Sequence, residues 1–421
     1  MSSEFEKNLD KYAEVIVKVG LNLQSGQRLI IGAPIFSDHF APIELYPLIR
    51  VIVKKAYQSG AKFVDVMWTD DQIKLLRYKY APKDSFEEFP SWRTEMVYEM
   101  GKSGEALLVV YAENPDLLAE EDSELIAISN QTAVKHMEPI MDLVVQNTTN
   151  WSVISAPVEG WIDKIFPNIP PEKRKDEFWD TIFNVCRINI ENPVLAWKDH
   201  IKQLEARSNY LNKKQYSSLH FRGDGTDLKI SLPDSHIWRS GSLTSQNNIT
   251  FAANIPTEEV FTIPHREKTE GTLKATKPLY YSGCLVEDYQ LTFSEGKIIE
   301  AVAKKGQEDL RRLIAVDEGA GYLGEIALVP HSSPISQSGL LFYNILIDEN
   351  ASNHIALGRG YKFSLKDGEF LSDEDFAKLG GNRSLIHIDC MFGSAQMNVD
   401  GILSDGTIEP IMHDGEWAFE T

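Results

Sequence analysis

Arg28-Leu29-Ile30-Ile31-Gly32 is a short apolar run closed by glycine, and Lys62-Phe63-Val64-Asp65-Val66-Met67-Trp68 is a second. Between them Leu45, Leu48, Ile49, Ile52, Val53 and Ala56 recur at the spacing of one helix face, and Gly60 follows where that face ends. Strand, amphipathic helix, strand is the unit from which parallel sheets are made. Ala106-Leu107-Leu108-Val109-Val110-Tyr111 and Trp151-Ser152-Val153-Ile154-Ser155 continue the series, and all four runs read as buried strands. The fold class expected is α/β, opening with an N-terminal βαβ parallel-sheet domain.

The pattern changes after a predicted helix from about Asn192 to Asn212, with Trp197, Ile201, Leu204, Ala206 and Leu211 apolar and Pro193 near its start. Beyond it, Asp224-Gly225, Glu295-Gly296, Asp367-Gly368, Asp405-Gly406 and Asp414-Gly415 punctuate alternating segments such as Leu228 to Leu232 and Tyr289 to Phe293. That punctuation is typical of hairpins. One helix is expected within this half, from Gln307 to Asp317, with Leu310, Leu313 and Ile314 on one face. A boundary therefore falls near residues 190 to 215, separating an N-terminal α/β domain, 1–200, from a strand-rich α+β C-terminal domain, 201–421. The acidic patch Ala119-Glu120-Glu121-Asp122 is too short for a tail and reads as a solvated loop or helix start.

Composition narrows the function classes. With 43% AVILMFWYC and 25% charged residues over 421 positions, the chain has the make-up of a folded globular protein with two or three domains. Lys and Arg number 42 against 62 Asp and Glu; the net charge of −20 repels phosphate backbones and anionic lipid, so nucleic acid is not an expected partner. Cys186, Cys284 and Cys390 form no C-x-x-C, which speaks against a disulfide framework or a thiolate zinc site and for a reducing compartment. The start, Met1-Ser2-Ser3-Glu4-Phe5-Glu6, is acidic where a secretory leader is basic, and no apolar run approaches the ~18 residues of a membrane span. A cytoplasmic location without membrane association is the expectation.

Common catalytic signatures are missing: no H-E-x-x-H, no G-x-S-x-G, no G-x-x-x-x-G-K-[ST]. Gly319-Ala320-Gly321-Tyr322-Leu323-Gly324 has dinucleotide-loop spacing, but it follows a predicted helix and precedes a strand, the reverse of the order that sets pyrophosphate on a helix N-terminus. More telling are imidazoles and carboxylates inside apolar strand patterns. In Ile386-His387-Ile388-Asp389-Cys390 the i and i+2 positions share a face, so His387 and Asp389 converge while Ile386, Ile388 and Cys390 point into the other layer. Glu325 stands at the mouth of the apolar run Ile326 to Val329, where a carboxylate needs a partner, a metal or else Arg311 or Arg312. His354 precedes Ile355-Ala356-Leu357-Gly358 and is either a ligand or a loop histidine bonded to a backbone carbonyl. Of the adjacent Glu258 and Glu259, alternation allows one to face such a cluster. Several carboxylates with two histidines form the mixed oxygen and nitrogen set that two catalytic divalent cations use, and structural ion pairs use it as well.

These segments resemble the M29 family of metalloaminopeptidases. The likeness rests on Asn254 to Thr262 (NIPTEEVFT), Asp317 to Ala320 with Leu323 to Pro330, Asp348 to Ala351 with His354 to Gly358, and His387 to Asp389, and it runs nearly the full chain. The resemblance implies metal ligands at Glu259, Glu325, His354, His387 and Asp389 and an active-site tyrosine at Tyr361. It also implies two divalent ions (zinc, cobalt or manganese) activating water, short peptides as substrates, a homodimer, and a metal site in the C-terminal domain. Glu258 is a possible base on this view, with solvation the other reading. Gly321, Asn353 and Cys390 depart from the family pattern without removing a ligand. Another binuclear hydrolase, or a non-catalytic metal- or peptide-binding protein, are the alternatives.

Overall fold

Four of the apolar runs become β1 (Arg28–Ile31), β2 (Phe63–Val66), β3 (Ala106–Val110) and β4 (Trp151–Ile154) of one sheet in the computed structural model, which describes residues 3–35, 40–281 and 284–421. Of the acidic start, Met1 and Ser2 lie outside the described residues. All the pairings are parallel, with Leu29 opposite both Val64 and Ala106 and Val109 opposite Val153. Helix Tyr46–Gln58 makes the first crossover. It buries Leu48, Ile49, Ile52 and Ala56 on one side, and Pro47 stands in its first turn, where a missing N–H has no intrahelical partner to lose. Gly60, at φ +92°, ends it where a side chain would collide with Ser25.

Three of these strands are buried as expected and β2 is not: Phe63 is 52% exposed because β2 is the sheet edge, with β1 as its one neighbour. A fifth strand was not legible. β5 (Asn254–Ile255) pairs in parallel with β4, so the run 254–264, which reads as one entry into the second half, is divided between two sheets. The acidic patch ends in a helix start, with the Asp122 carboxylate accepting the N–H of Glu124 at the head of Ser123–Val145.

By contact density the chain falls into two compact units, Met1–His200 with Ser242–Pro256, and Ile201–Gly241 with Thr257–Thr421. The second unit holds a nine-stranded antiparallel sheet whose strands run from Ser218–Gly223 to Glu416–Trp417. The D-G and E-G pairs turn its hairpins, except that Gly368 opens a one-turn helix, Gly368–Phe370. Helix Pro193–Lys214 runs slightly past the expected end, and Gln307–Leu313 stops short of it.

Beside that sheet lies a four-stranded antiparallel one, β6 (Val260–Thr262), β7 (Leu323–Leu328), β8 (His354–Gly358) and β9 (His387–Met391), in that order. Ile326, Leu328, Ile355, Leu357, Ile388 and Cys390 join Leu228, Leu291 and Phe293 of the larger sheet in one buried core. The small sheet is thus fixed from one face, which leaves the other for chemistry. Fold class is α/β with strand-rich sheets in the second unit, and no helix among the described residues is long and apolar enough to cross a membrane.

Leu108, fully buried in the central part of the parallel sheet, tests this architecture. Leu108→Ala should cost ~2–5 kcal/mol, read as a lower urea midpoint by circular dichroism.

Candidate metal centre

Directly opposed residues on antiparallel strands share a face. Ala327 opposes His354 and Glu325 opposes Ala356 across β7 and β8. Ala356 opposes Asp389 and Gly358 opposes His387 across β8 and β9. Register alone therefore gathers Glu325, His354, His387 and Asp389 on one face. Phe261 opposes Ala327, so Glu259, two positions earlier, joins them by alternation. The positions between, Ala327, Ala356 and Gly358, are small. Gly358 has φ +98° and its absent Cβ would lie 2.2 Å from the Ile386 carbonyl, so β9 approaches this closely because the residue is glycine.

The side chains converge. His354 Nε2 lies 3.2 Å from Glu259 Oε2, 3.6 Å from Glu325 Oε1 and 4.0 Å from Asp389 Oδ1, and His387 Nε2 lies 3.6 Å from Asp389 Oδ1. Two triads result, Glu259-Glu325-His354 and Glu325-His387-Asp389, each with donor atoms within 4.8 Å of one another and with Glu325 in both. Each imidazole is aimed from behind: His354 Nδ1 is 3.1 Å from the Ser352 carbonyl and His387 Nδ1 is 2.7 Å from the Arg359 carbonyl. A carbonyl only accepts, so Nδ1 carries the hydrogen and Nε2 turns a lone pair toward the carboxylates. Glu259 Oε2, His354 Nε2 and Asp389 Oδ1 are buried without a hydrogen-bond partner. Acceptors facing acceptors in a dry site repel, and a divalent cation held between them removes the conflict.

The electrostatics carry the same demand for positive charge, which a proton on His354 Nε2 meets when no cation is bound and which the cation takes over when one is. Burial opposes protonation of His354, yet the carboxylates of Glu259, Glu325 and Asp389 outweigh it and hold the imidazole well above its usual pKa. Burial raises the Glu325 carboxyl, opposed by His354 and His387 and reinforced by Glu259 and Asp389.

Tyr361 sits at this face. Its ring centroid is 4.8 Å from that of His387 and 5.1 Å from that of Phe363, on which it stacks at 10°. Burial, then the fields of Glu325, Asp389 and Glu349, push the phenol well above its usual pKa, so it remains a hydrogen-bond donor. Glu349 is a further carboxyl in the field of this cluster, one that the sequence reading passed over. Burial and the carboxylates of Asp389, Glu259 and Glu325 hold its carboxyl well above the usual range, against His354. It lies in a one-turn helix, Glu349–Ala351, too short for any periodicity to mark its direction.

Several competing readings fall away. Arg311 and Arg312 pair with Glu308 and Asp309, not with Glu325. His354 is a fully buried strand residue rather than a loop histidine, though Nδ1 does bond a carbonyl. Glu258 is 3% exposed, so the solvated reading is wrong; alternation turns it away from the cluster, and its charge acts on Arg207. Cys390 faces the core, where burial pushes its thiol to about 12. Asp317 anchors the chain entering β9, accepting from Ser384 Oγ at 2.9 Å and from the Leu385 N–H at 2.6 Å. The glycine-spaced segment that follows makes one 3-10 turn, Gly319–Gly321, and leads into β7.

A family model described as thermophilic metalloprotease (M29) matches residues 5–417. The chain belongs to the M29 family. Among its M29 relatives, aminopeptidase 2 of Geobacillus stearothermophilus is 42% identical over 418 residues, covering 99% of each chain. Aminopeptidase T of Thermus thermophilus is 38% identical over 413 residues, 98% of this chain and 99% of its own. The solved structure of wild-type AmpT from Thermus thermophilus superposes with a TM-score of 0.92 at 38% identity, covering 99% of this chain and 100% of that one. Among the described residues of this M29 chain, the oxygen and imidazole donors grouped closely enough to hold a divalent metal are those on the β6–β9 face.

If positive charge is what the face requires, removing one carboxylate has opposite effects with and without metal. In chelator-treated protein Glu325→Gln should raise the melting temperature by about 2–4 °C, the shift that ~1 kcal/mol produces in a domain of this size. In zinc-saturated protein the same substitution should lower it. Differential scanning calorimetry on both forms checks the pair of signs; the same sign in both would remove the cation from the account.

Proposed function

We propose that this chain is an aminopeptidase that hydrolyses the first peptide bond of short peptides, with two divalent ions held by Glu259, Glu325, His354, His387 and Asp389. The family and the activity its relatives are named for make it a metallo-exopeptidase. The observation that carries the site is the trio of buried, unpartnered acceptor atoms on Glu259, His354 and Asp389. The donor arrangement supports two ions over one. Two triads that share Glu325, each with carboxylate and imidazole donors, suit a bridged pair. Zinc, cobalt and manganese all accept such mixed donors.

The chemistry that a bound pair supplies is Lewis-acid polarisation of a carbonyl and a water of lowered pKa. The chain's own part is positional. The Ser352 and Arg359 carbonyls hold both imidazoles in one tautomer, with Nε2 toward the reacting centre. Tyr361, kept protonated, donates a hydrogen bond to the oxyanion that develops when the carbonyl is attacked, a contribution on the order of 3 kcal/mol for one such donor. The carboxylate-rich surroundings favour a substrate bearing a free α-ammonium over a phosphate ester, whose charge they repel. A homodimer in the cytoplasm is the setting we assign, and sedimentation at twice the chain mass checks the dimer.

Two outcomes test the catalytic reading with aminoacyl-p-nitroanilides. Dialysis against a chelator should abolish release of nitroaniline, and zinc, cobalt or manganese should restore it; His387→Ala should not be restored at the same metal concentrations, and full turnover in that variant would discard the site. Tyr361→Phe should lower kcat by about 10²–10³ with little change in KM, as expected for a donor engaged in the transition state.

A further inference from the structure

The face that carries the candidate ligands extends one residue beyond β6. Arg239 and Phe261 form an antiparallel bridge, with N–H to carbonyl distances of 2.8 Å and 3.0 Å, so their side chains share a face. The ladder row then reads Arg239, Phe261, Ala327, His354, which puts Arg239 on the side of the sheet where Glu259, Glu325, His354, His387 and Asp389 lie.

The state of this arginine is unusual. Nε donates to the Phe363 carbonyl at 2.8 Å, and Nη2 donates to the same oxygen. Phe363 in turn carries the stacked ring of Tyr361. The guanidinium is mostly withdrawn from solvent, and burial lowers its pKa. Among the described residues it forms no ion pair: Glu369 is the carboxylate whose field reaches it, and that contact does not close to salt-bridge distance. A cation held out of water beside a neutral carbonyl is normally matched by an anion. One edge of the guanidinium, Nε with Nη2, is occupied. The other edge, Nη1 with Nη2, is the fork that fits a carboxylate bidentately.

Resting on the aminopeptidase reading, we propose that Arg239 recognises the free α-carboxylate of short peptide substrates and so makes the enzyme selective for short peptides with a free C-terminus. Length supports this occupant. Inter-strand steps of ~4.8 Å set the backbones of Arg239 and His354 about 14 Å apart on one face, a span that a peptide of about three or four extended residues covers. A short substrate with its first carbonyl at the ligand cluster can therefore bring its C-terminal end to the guanidinium. Interior segments of longer chains and C-terminal amides offer no charge there.

The experiment compares trialanine with trialanine amide. Wild-type enzyme should favour the acid by about tenfold or more in kcat/KM, the difference residing mainly in KM, because a charge-assisted bidentate pair is lost in the amide. Arg239→Gln should bring the acid-to-amide ratio to about one, and Arg239→Lys, which keeps the charge without the fork, should fall between. A purely structural role for the arginine lowers both substrates by one factor and leaves the ratio intact; that result, or a ratio near one in the wild type, overturns the proposal. Should Arg239→Gln fail to fold, the wild-type ratio and the lysine variant decide it. Wild-type cleavage of alanyl-p-nitroanilide runs alongside: its absence would fault the aminopeptidase reading itself, whereas its presence with no acid preference would fault only the role of Arg239.

Discussion

A knot of carboxylates and imidazole lone pairs on one face of a four-stranded sheet is the constraint around which the second unit is arranged. Glu259, Glu325 and Asp389 are each less than a tenth exposed and His354 is fully buried. Like charges at such distances in a low-dielectric site favour dispersal, protonation or a cation. The fold prevents dispersal, because the strands that carry these residues are locked on the far face by Ile326, Ile355, Leu357 and Ile388. Alternation then ties the two properties together: the periodicity that puts aliphatic residues into the core puts the charged ones on the open face.

Small residues and backbone anchors make the convergence possible. Gly358 lets β9 close on β8, and Gly319 would drive a Cβ to 1.7 Å from the Arg383 carbonyl, so the segment leading into β9 packs there only against glycine. Asp317 holds Ser384 and Leu385, and the fully buried Asn382 donates to the Gly358 and Gly319 carbonyls at 2.6 Å and 2.8 Å. On the other side, Asn350 accepts the Glu258 N–H at 2.7 Å and donates to the Leu346 carbonyl at 3.1 Å, linking the turn before β6 to the helix before β8. These bonds do not touch the reacting centre, but they fix where the backbone places Glu259, Glu349 and His387.

Next to the candidate ligands an aromatic stack carries Tyr361 and borders Arg239. Phe261 meets Phe363 edge-on at 6.3 Å, Phe363 stacks on Tyr361, and Tyr361 leans on His387. Arg239 grips the Phe363 carbonyl from below that stack. The proposed oxyanion donor and the proposed carboxylate fork thereby border the same cluster, an arrangement in keeping with substrates of limited length.

Much of this was legible in the chain itself. Apolar runs separated by one helical face forecast the parallel sheet, and H-x-D in a strand forecast a shared face for His387 and Asp389, because strand periodicity is local. The resemblance supplied Glu259, Glu325, His354 and Tyr361 as a set, which spacing alone left open. What local pattern does not encode is partnership. The exposed edge at Phe63, the transfer of Asn254–Ile255 to the first sheet, the burial of Glu258, the place of Glu349 and the row that begins at Arg239 all depend on which strand lies beside which. Amino-acid order determines the direction of each side chain relative to its neighbours in the chain; only tertiary register decides which distant side chains it meets, since pairing energy is summed over whole strands rather than carried by any one residue.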